Sequence, residues 1–115
     1  MSFGSWVLLA LLGGAGAVAR VEVGAAVTAR VGKVWIGTLA VNIAGAFLLG
    51  LTHASLSGSA RTTIAIGLLG AFTTFSTWML EAERAATARQ RAVIVIVPLV
   101  LGLAAAALGN AVGSL

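Results

Sequence analysis

Residues 70–78 of the chain read GAFTTFSTW, a stretch with four hydroxyl side chains and three aromatic rings. Almost every residue around it is Ala, Val, Leu, Gly or Ile. The stretch lies inside a run that is long and apolar enough to cross a membrane. Because polar groups at membrane depth usually face a partner, a cavity or a path, we interpret these residues as the lining of an ion path. The other segments are then expected to hold and complete that path.

The composition is that of an integral membrane protein. Of 115 residues, 60% are hydrophobic and 9% are charged, and the mean hydropathy is +1.11. A soluble domain of this size cannot bury so much apolar surface. The length allows one domain, residues 1–115, with four membrane spans and short loops. Four short helices enclose little space, so we expect an oligomer. The chain has no Cys, which excludes disulfides and thiolate metal sites.

The fold is predicted to be all-α, because a lone strand cannot satisfy its backbone polar groups in lipid. This applies to the run VIVIV at residues 93–97, which would suggest a strand in a soluble protein. Pro98 follows that run and is expected to kink its helix. The four predicted spans cover residues 5–28, 34–53, 62–80 and 92–112.

The third span is predicted to break near residues 70–74. Gly67 and Gly70 precede a run of β-branched residues, and both residue types are poor helix formers. A break exposes backbone carbonyl oxygens, which can bind a cation where protein or a cavity surrounds them. The alternative for the hydroxyls is a hydrogen bond back to a carbonyl one turn earlier, although their close spacing weakens it. The four hydroxyl residues are Thr73, Thr74, Ser76 and Thr77.

Basic residues are distributed unevenly over the two sides of a four-span topology. The net charge is +4 and the charges flank apolar runs, so lipid headgroups rather than nucleic acid are the expected partners. Five Lys or Arg residues fall in the first and third loops, and one, Arg61, in the second. The positive-inside rule then places both odd loops in the cytoplasm and both termini outside. The five residues are Arg30, Lys33, Arg84, Arg89 and Arg91.

Asn42 and Arg20 are polar residues within the first two spans that could contact an ion. Asn42 lies near the middle of the second span, where its amide offers two donor hydrogens and one acceptor. The alternative is an ordinary helix-packing hydrogen bond. Arg20 could attract anions at a vestibule, or its side chain could extend to the lipid interface. Glu22 is two residues away and points to another side of the helix, so it does not pair with Arg20.

The aromatic residues Phe72, Phe75 and Trp78 recur every three positions and are predicted to lie along one side of the third span. Such a stripe can serve packing, or it can present positive ring edges to an anion. Glu81 is either an exposed charge at the end of a helix or a group at a pore mouth. The chain has one His, no Cys and no Gly-rich phosphate loop, so no catalytic set emerges and an enzyme is not expected.

Three motifs, in order along the chain, resemble those of the Fluc/CrcB fluoride channels. Residues 13–20 read GGAGAVAR, similar to the family's first-span Gly-rich segment that ends in Arg. Residues 37–47 read GTLAVNIAGAF and resemble its second-span GTLxVNxxGxF signature. Residues 70–77 read GAFTTFST and, with Glu81, resemble its third-span signature. The resemblance covers essentially the whole chain.

The resemblance implies a passive channel that lets fluoride leave the cytoplasm of a bacterium through the cell (inner) membrane and so relieves fluoride toxicity. Members work as antiparallel dimers with two pores. Asn42 would donate a hydrogen bond to fluoride, and Phe75 would present its ring edge. Gly70 and Thr73 would offer backbone carbonyls to a structural Na⁺ at the dimer two-fold axis, and Arg20 and Glu81 would lie near the vestibules. The expected fluoride-pore residues are Asn42, Thr74, Phe75, Ser76, Thr77 and Trp78.

The chain departs from the family pattern at two places. Trp78 stands where the family usually has a second Phe, and residues 93–108 of the fourth span lack the usual Tyr and Ser. Charge matters as well, because a homodimer with both orientations needs nearly balanced loops, whereas this chain is biased five to one. One hypothesis is therefore that it forms half of a heterodimer with a homologue of opposite orientation. The homodimer, which is common in the family, is the other.

Two further functions compete with the channel. A small multidrug-type proton-coupled transporter also has four spans, but it needs a carboxylate at mid-membrane, and Glu22, the one candidate, lies towards the end of its span. A non-transporting assembly subunit would use the small-residue steps to pack against a larger complex. In that case the TTFST cluster would have no purpose.

Overall fold

A computed structural model describes residues 2–115 and shows an all-helical chain. Four helical stretches are long and apolar enough to span a membrane, so the predicted class of fold is confirmed. The third stretch, Gly58–Glu83, is made of four consecutive segments. The elements are α1 (Phe3–Val31), α2 (Val34–Ser55), α3 (Gly58–Thr62), a π-helix (Thr63–Leu69), α4 (Gly70–Phe72), α5 (Ser76–Glu83) and α6 (Ala88–Gly113).

Local sequence signals set the ends of the long helices. The Ser2 hydroxyl accepts a hydrogen bond of 3.2 Å from the Ser5 N–H and caps the start of α1. Gly32 ends α1 with φ +80°, a left-handed conformation that suits glycine. The Thr87 hydroxyl accepts from the Gln90 N–H at 3.1 Å and caps α6. The helices therefore run beyond the predicted apolar spans to the nearest capping residues.

Helices α2 and α6 run parallel and pack backbone to backbone. A Cβ atom added at Gly50 would overlap the Ala106 carbonyl, and one added at Gly109 would overlap the Phe47 carbonyl. A Cβ at Gly113 would lie 2.8 Å from the carbonyl oxygen of Leu51. Because residue numbers rise together along both helices, their first residues lie at the same end of the molecule. The basic loops before α2 and before α6 therefore share one side.

Glycines also bring α1 close to the third stretch. A Cβ at Gly16 would overlap the Leu68 carbonyl, and one at Gly67 would lie 3.1 Å from the Leu9 carbonyl oxygen. This contact coincides with the π-helix, which closes with a hydrogen bond from the Gly70 N–H to the Ala65 carbonyl. The third stretch is thus held on one side by α1 before it reaches residues 70–78.

Few side chains are buried in the described part of the chain, as expected where lipid takes the place of a core. Val41 is the largest fully buried side chain, with 1% of its surface exposed. Only 6% of the apolar window of α1 is buried inside the chain. The longest dimension is 48 Å, close to the ~40–45 Å of a bilayer with its headgroups.

We predict that Gly109→Ala lowers the free energy of unfolding by about 1–3 kcal/mol, because the new methyl group forces α6 away from the Phe47 carbonyl. Gly102→Ala, on the same helix, is the matched control. A Cβ at Gly102 meets no atom within 4 Å among the described residues, so helix propensity should raise stability by up to about 1 kcal/mol. Thermal unfolding in detergent measures both, and equal midpoints would contradict the close packing.

Candidate functional site

The chain leaves helical geometry between α4 and α5. Helix α4 ends at Phe72, Thr73 is extended with φ −79° and ψ 157°, and α5 begins at Ser76. Two backbone N–H groups consequently donate to acceptors other than the carbonyl four residues earlier. The Thr74 N–H donates to the Asn42 side chain instead of the Gly70 carbonyl, and the Thr77 N–H donates to the Thr74 hydroxyl instead of the Thr73 carbonyl. The carbonyls of Gly70 and Thr73 thereby lose their usual helical donors.

Asn42 holds this interruption from α2. Its Nδ2 donates to the Thr74 carbonyl and its Oδ1 accepts from the Thr74 N–H, both at 2.8 Å. The carboxamide thus pairs with the N–H and the C=O of one residue, as a residue on a neighbouring strand would, and it satisfies two backbone groups that have no helical partner. Because a carboxamide has two donor hydrogens, one remains after these two bonds. Asn42 therefore has the packing role, and it keeps a donor that a ligand could use.

The four hydroxyl residues divide into two pairs. The Thr73 hydroxyl donates to the Leu69 carbonyl at 3.1 Å, which is the back-bonding alternative. The Thr74 hydroxyl is buried and accepts from the Thr77 N–H at 3.3 Å, so it caps α5. The side chains of Ser76 and Thr77 are exposed on the first turn of α5. Two hydroxyls thus stabilise the interruption, and two are available to a ligand.

Thr38 is a polar contact that sequence reasoning gave no role. Its hydroxyl is buried in α2 and donates to Glu81 Oε1, and it also lies 3.5 Å from the Val34 carbonyl. The other oxygen, Glu81 Oε2, is buried without a hydrogen-bond partner among residues 2–115. Glu81 is therefore half-buried against α2 rather than an exposed charge at a helix end. Thr38 lies within the GTLAVNIAGAF motif, so that motif was the signal for it.

Two clefts meet at the interruption. The first has a volume of about 560 Å³, and Arg20 lies on it together with Thr38, Thr74 and Thr77. The second has a volume of about 370 Å³ and separates the interruption from α6. Thr74 lines both clefts, so the Asn42–Thr74 pair lies between them. The polar and aromatic residues of the second cleft are Asn42, Thr73, Thr74, Phe75 and Trp78.

The aromatic residues do not form the continuous stripe that the spacing predicted. Phe72 is 9% exposed, whereas Phe75 is 69% exposed, because the interruption between them turns the chain. Phe75 and Trp78 remain in contact, with ring centroids 5.9 Å apart and planes at 90°. The Trp78 Nε1 donates to the Ile94 carbonyl of α6 at 2.5 Å. Its N–H is therefore already bonded within the chain.

Gly70 and Thr73 are the residues expected to offer backbone carbonyls to a cation. Among residues 2–115 no group of three or more His, Asp or Glu side chains is placed to hold a metal ion. Gly70 lies in helical geometry, with φ −62° and ψ −37°, and it begins α4. Its carbonyl and that of Thr73 flank the same short segment.

The chain is similar to known proteins over nearly its whole length. Residues 7–110 match the family model described as CrcB-like protein, Camphor Resistance (CrcB). The chain is 45% identical to fluoride-specific ion channel FluC 2 of Mycolicibacterium paratuberculosis, with 96% of this chain and 94% of the relative aligned. It is 46% identical to FluC 1 of Symbiobacterium thermophilum, over 95% of this chain and 97% of the relative.

A third relative, fluoride-specific ion channel FluC of Acidobacterium capsulatum, is 41% identical over 95% of this chain and 94% of its own length. No solved structure matches the chain. The family model and these relatives span nearly the whole sequence, and they cover α2, the interruption and α6 alike. The chain therefore belongs to the Fluc/CrcB family of fluoride ion channels, which are not enzymes.

Proposed function

We propose that this chain forms a passive, fluoride-selective pore through which fluoride leaves the cytoplasm. One observation carries the proposal: Asn42, which keeps one amide donor, and Phe75, whose ring is exposed, line the same cleft beside the interruption. Together they offer hydrogen-bond donation and a positive ring edge at membrane depth, where an anion must be stripped of water.

Fluoride is small and strongly hydrated, so its water shell must be replaced by several donors in sequence. Ser76 and Thr77 are exposed on the first turn of α5, directly after Phe75, and their hydroxyls supply further donors. Thr74, also an expected pore residue, lines both clefts and connects them. The path therefore runs along the interruption from one cleft to the other.

Arg20 and Glu81 belong to the vestibule in this proposal. Arg20 lies on the first cleft and attracts anions towards it. Glu81 does not line that cleft but contacts Thr38, which does. The Thr38 hydroxyl donates a hydrogen bond to one carboxylate oxygen of Glu81. This bond partly neutralises the negative charge of that oxygen, so Glu81 repels fluoride less strongly.

A structural Na⁺ is proposed at the interruption. The carbonyl oxygens of Gly70 and Thr73 lose their helical donors there, and hard cations are bound by oxygen ligands. Two carbonyls from one chain are too few to enclose a cation. A second chain related by a two-fold axis would add a matching pair, so the proposed ion and the proposed dimer depend on each other.

The proposed assembly is an antiparallel dimer with two pores in the inner membrane of a bacterium. The small buried fraction of α1 leaves a long apolar surface for a partner or lipid. The charge bias of five to one favours a single orientation, with both termini outside, and hence a heterodimer with an oppositely oriented homologue. Relatives carry the numbered names FluC 1, FluC 2 and FluC 3. Such numbering is expected where one organism has more than one protein of the family, as a heterodimer requires.

We expect the purified chain, reconstituted in fluoride-loaded liposomes, to release fluoride rapidly to a fluoride electrode if it forms a homodimer. If it forms a heterodimer, release should require co-expression with a homologue of opposite charge bias. In the conducting assembly Phe75→Ile should lower efflux by at least about tenfold, because an aliphatic side chain has no positive ring edge. Phe3→Ile is the control, since Phe3 is 84% exposed at the start of α1. An absence of efflux in both assemblies would contradict the proposed function.

Asn42→Asp should abolish most fluoride efflux while it preserves side-chain shape. The carboxylate still accepts from the Thr74 N–H, but it cannot donate to the Thr74 carbonyl or to fluoride, and its charge repels an anion. We expect a loss of at least about tenfold in the same liposome assay. Asn110→Asp makes the same change at an exposed position of α6 and should conduct normally. Equal efflux from the two variants would exclude Asn42 from the path.

Expressed alone, the chain should insert with one orientation. Because it has no Cys, a single introduced cysteine can be labelled uniquely in intact cells by an impermeant thiol reagent. Ser114→Cys should react, since the C-terminus is predicted outside, whereas Ala86→Cys in the third loop should react only after permeabilisation. Partial labelling at both sites would show two orientations and would remove the argument for a heterodimer.

A further inference from the structure

Pro98 removes the helical donor of one backbone carbonyl in the second turn of α6. A residue inside an α-helix donates its N–H to the carbonyl four positions earlier, and proline has no N–H. The carbonyl that loses its donor is that of Ile94, a residue with 9% of its surface exposed. Because this residue is buried, its carbonyl oxygen needs a hydrogen-bond donor from another part of the protein.

Trp78 supplies that partner. Its indole Nε1 donates to the Ile94 carbonyl at 2.5 Å, so α5 and α6 are joined by a side chain that replaces the donor missing at Pro98. A Phe at this position would keep the ring but could not make the bond, because it has no donor. The departure from the family pattern at Trp78 and the proline in α6 are therefore complementary.

The same indole ring fixes the orientation of Phe75. The two rings meet edge to face, with centroids 5.9 Å apart, a geometry that aromatic pairs prefer. Phe75 is the last residue of the interruption and is 69% exposed, so Trp78 is a principal restraint on its ring within the chain. Trp78, Phe75 and Pro98 all line the second cleft.

We propose that Trp78 is a positioning residue for Phe75 rather than a donor to the anion: its N–H binds the Ile94 carbonyl that Pro98 leaves free, and its ring holds the Phe75 edge towards the path. The inference rests on the proposed fluoride pore. It assigns the Trp78 N–H to the backbone of α6, and it connects the fourth span to fluoride selectivity although that span contributes no Tyr or Ser between residues 93 and 108.

A double-substitution cycle tests this assignment in the conducting liposome assembly. The proteins are the unchanged chain, Trp78→Phe, Pro98→Ala and the double variant, and each is assayed for fluoride efflux, chloride efflux and unfolding midpoint. Trp78→Phe alone should lower fluoride efflux roughly five- to tenfold, the size expected when one buried hydrogen bond is lost, and it should lower the midpoint. Trp6→Phe is the matched control, because Trp6 is 57% exposed near the start of α1.

Pro98→Ala separates positioning from simple stabilisation. The introduced alanine has an N–H that can donate to the Ile94 carbonyl, so in this background Trp78→Phe should leave the midpoint nearly unchanged. Fluoride efflux should still fall, and the fluoride-to-chloride ratio with it. The Ile94 carbonyl has two lone pairs and continues to hold the indole of Trp78, whereas the smaller phenyl ring makes no such bond and restrains the Phe75 ring less. This comparison applies even if Trp78→Phe alone fails to fold.

Three results would overturn the assignment. Unchanged efflux and selectivity in Trp78→Phe would show that Phe75 needs no restraint. Efflux in the double variant equal to that of Pro98→Ala would show that Trp78 only satisfies a carbonyl. If the unchanged chain conducts no fluoride in either assembly, the proposed function itself is wrong. Measuring the unchanged chain first therefore distinguishes a failure of the proposed function from a failure of the role assigned to Trp78.

Discussion

Every backbone N–H and C=O within a membrane must find a partner inside the protein, and the pair formed by Asn42 and Thr74 is where this constraint is met most directly. One carboxamide satisfies both backbone polar groups of Thr74, which lies outside helical geometry, with two bonds of 2.8 Å. Without it the third stretch would carry an unsatisfied N–H and an unsatisfied C=O in the membrane, at a cost of several kcal/mol for each group. The interruption, the two clefts beside it and the exposed ring of Phe75 all depend on this pair.

The surrounding helices are arranged so that the pair can form. Glycines let α6 approach α2 at Gly50 and Gly109, and let α1 approach the third stretch at Gly16. These contacts bring backbones together where side chains would keep them apart, which is how membrane helices gain packing energy without a hydrophobic driving force. A comparable compensation occurs at Pro98, where the indole of Trp78 replaces the missing N–H. Local defects in the helices are thus compensated by side chains from their neighbours.

Much of the site was predictable because membrane chemistry restricts where polar residues can stand. Asn42 and the hydroxyls of residues 73–77 were recognisable from the sequence as polar groups in apolar runs. The different roles of these hydroxyls were not recognisable, because a hydroxyl that bonds back to its own helix and one that faces a cleft have the same sequence signature. Thr38 and Ile94 had no visible signal as single residues. Their roles arise only when Glu81 and Trp78 are brought beside them from distant positions in the chain.

The sequence by itself determined the membrane class, the four helices and the candidate polar residues, because apolar length, charge placement and glycine spacing are properties of the chain alone. Only the tertiary structure decided that Asn42 pairs with Thr74, that Phe75 turns outward while Phe72 is buried, and that the Trp78 N–H is bonded to α6. These outcomes depend on how helices distant in sequence are aligned. A hydrogen bond between two spans is set by their rotation and depth, which periodicity within one span cannot specify.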